Sequence, residues 1–124
     1  MAKILKTTPN RGEVWLVDLD PTEGAEISRK RPSVVMSSSR IGKLPLRIIV
    51  PVTRWDDEYA YFPWMTRISP DKQNGLSKIS AADAFQVRSI SVRRFVKRFG
   101  ALPDHLVSNI AKAIALCIDL DLRS

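Results

Sequence analysis

Apolar residues come in short, separated runs along most of the chain and at a longer, helical spacing near its end. Residues 12–20 hold Val14, Trp15, Leu16, Val17 and Leu19, which predicts a well-buried strand. Residues 21–30 carry Gly24 and no periodicity, so they form a long loop. Val34, Val35 and Met36 predict a second strand over 32–38, and Gly42 marks a turn at 40–45. The β-branched run Ile48, Ile49, Val50 and Val52 places a third strand over 46–55. Residues 61–68 suit a fourth. The stretch SPDKQNGLS at 69–77 is turn-forming, and 79–90 supplies one or two further short strands. Pro103 suits the first turn of a helix, where a missing N–H costs nothing. Leu106, Ile110, Ala113, Ile114 and Cys117 then share one helical face, with Ser108, Asn109 and Lys112 mainly off it. Five or six short strands followed by one amphipathic helix suggest a strongly bent small barrel with the helix packed on it. Residues 1–10 read as a loose leader and 11–124 as a single domain.

Charge narrows the partners. Lys plus Arg number 20 against 13 Asp plus Glu, a net charge of +7 in 124 residues. Such a basic domain favours an anionic partner: nucleic acid, an acidic protein or an anionic membrane surface. No apolar run approaches the roughly 20 residues that span a bilayer, and no secretory signal follows the first lysines. Cys117 is the only cysteine, so no internal disulfide forms, and a reducing cytoplasm is the default expectation. With His105 the only histidine, neither a thiolate cluster nor the usual His-rich zinc site can be assembled. No metal or cofactor is therefore expected, and any catalysis works without a pair of imidazoles.

Four segments, in order, carry a resemblance. They are RGEVWLVDLDPTEGAE at 11–26, KRPSVVMSS at 30–38, IIVPVT at 48–53 and FQVRSIS at 85–91, followed by Leu-Pro-Asp and the helix. Together they resemble the MazF/PemK toxins of bacterial toxin–antitoxin systems over nearly all of the chain from Arg11 onward. No one segment is specific, but four at the right spacing in a chain of this size are. The resemblance implies a mainly β fold with a C-terminal α-helix, a small SH3-like β-barrel of the MazF/Kid/CcdB type. It implies a homodimer and metal-independent cutting of single-stranded RNA, messenger RNA in kind, that leaves a cyclic phosphate. It also implies an antitoxin that occupies the RNA groove; against so basic a surface, that partner should carry an acidic segment.

Matched position by position, the catalytic arginine of the family falls on Arg31 and its threonine on Thr53. The RNA-contacting glutamate of the first loop falls on Glu26, and the glutamine on Gln86. One position departs from the pattern. Many relatives have an acidic residue before the glutamine, where this chain has Phe85. Asp83 lies two residues earlier and on a strand would share the face of Phe85. Phe85 can stack on a base instead.

The residue types suit the chemistry. RNA cuts itself when its 2′-OH attacks the adjacent phosphorus; a protein aligns the attack, stabilises phosphoryl charge and protonates the leaving oxygen. A planar, permanently charged guanidinium at Arg31 fits the charge, and the Thr53 hydroxyl can donate to a non-bridging oxygen. No residue stands out as the base. Each assignment has a plain counterpart: a solvated loop-end arginine, a β-branched packing residue at Thr53, an ordinary loop carboxylate at Glu26, a buried strand amide at Gln86. Arg29, Lys30 and Arg31 form a basic loop run that, with Arg40, Lys43, Arg47 and Arg54, suits a phosphate-tracking patch. Arg93, Arg94, Lys97 and Arg98 form a second cluster, equally readable as plain surface. Trp15 and Trp64 are expected in the core, Trp55 at a base or loop contact, Cys117 as inert packing and His105 at the surface. A rival reading is a non-catalytic binding module on the same fold that binds nucleic acid without cutting it or poisons gyrase, as toxins that depend on C-terminal helix residues do.

Overall fold

Val34 and Val35 are adjacent and both fully buried, and so are Ile49 and Val50. Neighbouring strand residues point to opposite faces, so this part of the sheet is covered on both sides. Val34, Val50 and Ile110 belong to a core between sheet and helix; Val35, Ile49, Trp15, Val17 and Ile90 form a second core on the other face.

The computed structural model describes residues 8–122. Its strands are β1 (Glu13–Asp18), β2 (Lys30–Val35), β3 (Leu46–Arg54), β4 (Met65–Ile68), β5 (Ser80–Asp83), β6 (Arg88–Ser91) and β7 (Phe95–Ala101). One helix, α1 (Asp104–Cys117), follows. Every ladder is antiparallel, in the order β4-β5-β3-β2-β1-β7, with β6 also on β3. The long strand β3 is the spine: its first half pairs with β6 and its last three residues with β5. Between those two partners the chain makes a single 3-10 turn at Ala84–Gln86.

The mainly β class with one C-terminal helix is as expected. The bent sheet, however, is open: among the described residues no ladder joins β4 to β7. Strand β7 was not expected. Its Lys97 and Arg98 face solvent on an edge strand, where charge blunts unwanted pairing and hides the strand in the pattern. The strand expected over 61–68 shortens to β4, because Asp56 caps a 3-10 turn at Asp57–Tyr61. Lys30 and Arg31 already lie in β2 rather than in a loop. On α1, Ile110 and Ala113 are buried as expected, Val107 joins them, and Leu106, Ile114 and Cys117 are only partly covered. Trp15 is core, but Trp64 is half-exposed, stacked on Phe62 at 4.9 Å. His105 is exposed. Residues 1–7 of the expected leader lie outside the described residues; Pro9 is buried, and its carbonyl accepts from Arg47 Nε at 2.9 Å. No helix among the described residues is long and apolar enough to cross a membrane.

Candidate active site and nucleic-acid interface

Two clefts open side by side along β3. In the β2–β3 ladder Ser33 faces Pro51, and continuing that register by two residues sets Arg31 across from Thr53. Both side chains line one cleft of about 410 Å³, together with Arg54, Lys78, Ser80 and Phe99. Among the described residues its charged lining is three cations, Arg31, Arg54 and Lys78, with no carboxylate. Arg31 donates through Nε to the Ser28 carbonyl at 3.1 Å, which fixes the stem of its guanidinium. The other N–H groups of the fork remain for a ligand. Nothing in the sequence pattern singled out Lys78, because it sits at the end of a turn-forming stretch.

That turn is firmly built. Asn74 is 1% exposed, and its side chain bonds the backbone of Ser69, Asp71 and Leu76 at 2.9, 3.1 and 2.9 Å. Gly75 follows at φ +69°, in the left-handed region that glycine tolerates. The turn lies against β7, with Ala101 N–H donating to the Gln73 carbonyl at 2.8 Å. A wall of the cationic cleft is thereby held in place.

The neighbouring cleft, of about 480 Å³, gathers Glu26, Phe85, Gln86 and Arg88 beside Pro51. Pro51 and Thr53 are two residues apart on β3, so the clefts are offset by about 7 Å. The expectation that Asp83 and Phe85 share a strand face is corrected here. The chain leaves β5 at Asp83, whose side chain accepts from the Phe85 N–H at 3.1 Å and caps the 3-10 turn. Asp83 is therefore 7% exposed and Phe85 65%. Burial pushes the Asp83 carboxyl up, against the downward pull of its bonds from Phe85 and Gln86. Burial and then the Asp83 charge push the Cys117 thiol up, so it stays protonated and unreactive.

Gln86 has a second role besides lining the cleft. Its Oε1 accepts from the Ile27 N–H at 2.6 Å and its Nε2 donates to the Ala25 carbonyl at 3.1 Å. The amide thus clamps the backbone on both sides of Glu26, across 59 to 61 residues of sequence. Replacing Gln86 by leucine is expected to cost about 1–3 kcal/mol. Faster hydrogen exchange should centre on the Ile27 amide; unchanged exchange there would remove the clamp.

Of the remaining expected residues, Arg29, Lys30 and Trp55 line neither cleft. Arg29 and Lys30 are exposed beside them. Trp55 is half-buried, donates to Asp57 at 3.2 Å, meets Tyr59 edge-on and carries the Arg67 guanidinium 5.6 Å from its ring centre. In the second basic cluster, Arg94 bonds the Asp18 and Asp20 carbonyls, and Arg98 pairs with Glu13 at 3.2 Å. Arg93 and Lys97 are plain surface.

Residues 10–118 match the family model for the PemK-like, MazF-like toxin of type II toxin–antitoxin systems. The chain belongs to the PemK/MazF toxin family. It is 33% identical over 116 residues to endoribonuclease MazF9 of Mycobacterium tuberculosis, covering 89% of this chain and 96% of that one. Among solved structures, MazF from Deinococcus radiodurans shares the fold with a TM-score of 0.77 at 20% identity, covering 91% and 98%. A mycobacterial endoribonuclease in complex with its cognate antitoxin has a TM-score of 0.72 at 17% identity, covering 92% and 98%. Between them, the two clefts hold four positions that the MazF/PemK resemblance singled out: Arg31, Thr53, Glu26 and Gln86.

Proposed function

We propose that this MazF/PemK toxin is a sequence-specific endoribonuclease that cuts single-stranded RNA without a metal and is neutralised by a cognate antitoxin. The observation that carries the reading is the cleft that Arg31 and Thr53 share, whose charged lining among the described residues is cationic. A phosphodiester placed there has its charge opposed by Arg31, with Arg54 and Lys78 beside it. The Thr53 hydroxyl donates to a non-bridging oxygen. The RNA brings its own nucleophile: the 2′ oxygen bonds to phosphorus, the bond to the 5′ oxygen breaks, and the 2′-OH proton is lost. The leaving oxygen takes up a proton, giving a 2′,3′-cyclic phosphate and a 5′-hydroxyl.

The same cationic cleft is a fitting target for an acidic antitoxin segment, which would compete with RNA for it. The named relatives support an endoribonuclease with an antitoxin partner. A homodimer belongs to this reading; exposed Leu116, Ile118, Leu120 and Leu122, at and beyond the end of α1, supply apolar surface for a second copy.

The deciding experiment incubates purified protein with a long single-stranded RNA in excess EDTA and maps the ends. Cuts at a recurring short motif, bearing cyclic phosphates, are expected. RNA that is bound but left whole would return the chain to the binding-module reading.

A further inference from the structure

Glu26 and Arg88 line the same cleft, yet among the described residues they form no ion pair with each other. Glu26 is exposed and accepts the Glu23 N–H on Oε1 at 2.6 Å, which leaves its other oxygen and a second lone pair of Oε1 for a ligand. Arg88 spends one N–H on the Leu19 carbonyl at 3.1 Å, and a guanidinium has five. Phe85 presents its ring at 65% exposure, set by an edge-on contact with Trp64 at 6.1 Å. Gln86 holds the loop on either side of Glu26, so the acidic wall is fixed before any ligand arrives. The cleft thus combines an accept-only wall, a donate-only wall and an exposed ring.

The four bases differ in how they meet such a frame. Guanine puts two donors side by side, N1–H and the 2-amino group, and two acceptors, O6 and N7, on another edge. Adenine and cytosine each offer a carboxylate a single amino group, with a ring-nitrogen acceptor rather than a second donor beside it. Uracil offers one N–H between two carbonyls. Only guanine gives a carboxylate two neighbouring donors while still giving a guanidinium two acceptors.

We propose that this cleft is a guanine-reading subsite. Phe85 stacks on the base, Glu26 accepts from N1–H and the 2-amino group, and Arg88 donates to O6 and N7. The offset of about 7 Å along β3 puts this guanine next to the phosphate held by Arg31 and Thr53. The assignment rests on the RNA-cleaving reading for its place in the reaction, but base selection can be measured without cleavage.

The test uses the full chain and trinucleotides with methylated 2′-hydroxyls, which cannot be cut. The central base is guanine, inosine, adenine, cytosine or uracil between uridines, and binding is followed by tryptophan fluorescence. Guanine should bind tightest, by about tenfold or more over adenine. Inosine, which lacks the 2-amino group, should fall between them. Glu26→Gln should erase the difference between guanine and inosine, with the melting temperature unchanged as control. Phe85→Ala should weaken all five alike, because stacking is tolerant of sequence. Equal affinities, no binding, or a guanine preference untouched by Glu26→Gln overturns the subsite. A protein that selects guanine but cuts no RNA overturns the nuclease reading and leaves the subsite standing.

Discussion

Arg31→Ala is expected to slow RNA cleavage by about a hundredfold to a thousandfold, the usual effect of removing one preorganised donor from developing charge. The fold should survive. Arg31 is half-buried near the start of β2, and its one side-chain hydrogen bond goes to the Ser28 carbonyl. Arg54 and Lys78 remain in the cleft, so RNA should still bind while the transition state loses its closest partner. Arg31→Lys is the sharper variant: it keeps the charge but loses the planar fork, and should recover only a small part of the rate. Single-turnover cleavage of one short RNA, with a circular dichroism melt of each variant, checks both. A fully active Arg31→Ala protein would move the chemistry elsewhere.

Gly100→Ala should be among the most damaging single methyls in the chain. A Cβ at Gly100 would lie 2.0 Å from the Gln73 carbonyl oxygen and 2.8 Å from the Asn74 carbonyl carbon. Both are backbone atoms of the turn that Asn74 holds rigid, so nothing nearby can swing aside. Either β7 or the turn must shift, at a cost of about 2–4 kcal/mol. In a domain of this size that corresponds to a fall in melting temperature of roughly 8–15 °C. The turn supplies Gly75, Leu76, Ser77 and Lys78 to the cationic cleft, so cleavage should weaken even below the melting transition. Differential scanning calorimetry gives the first number and the cleavage rate at low temperature the second. A melting temperature unchanged by Gly100→Ala would mean that turn and strand are not in this contact.

The parts of the fold visible in the sequence are those where burial wrote a simple pattern. Strands β2 and β3 are apolar on both faces, and α1 repeats apolar residues at helical spacing. Strand β7 escaped because its outward residues are the charges that protect an edge. Asp83 and Phe85 were misassigned because alternation holds only while a strand lasts, and a capped 3-10 turn ends β5 between them. Trp64 was expected in the core, whereas its stacking on Phe62 and edge contact with Phe85 satisfy it at the surface. The positions expected from the resemblance at Arg31, Thr53, Glu26 and Gln86 all line the clefts. What no pattern could show is the partner of the Gln86 amide, since that clamp spans sequence-distant segments and leaves no local trace.

The pairing of β1 with β7 has a consequence in time. Strand β1 can pair with β2 soon after both are made, but its other neighbour, β7, follows only after β3 to β6. Phe99, on that late strand, is also a wall of the cleft that holds Arg31 and Thr53. A growing chain that stops short of β7 therefore has the arginine and the threonine but no complete cleft around them. Such distant pairing is slow to form. A cleft built this way is completed only once β7 has been made and has paired with β1.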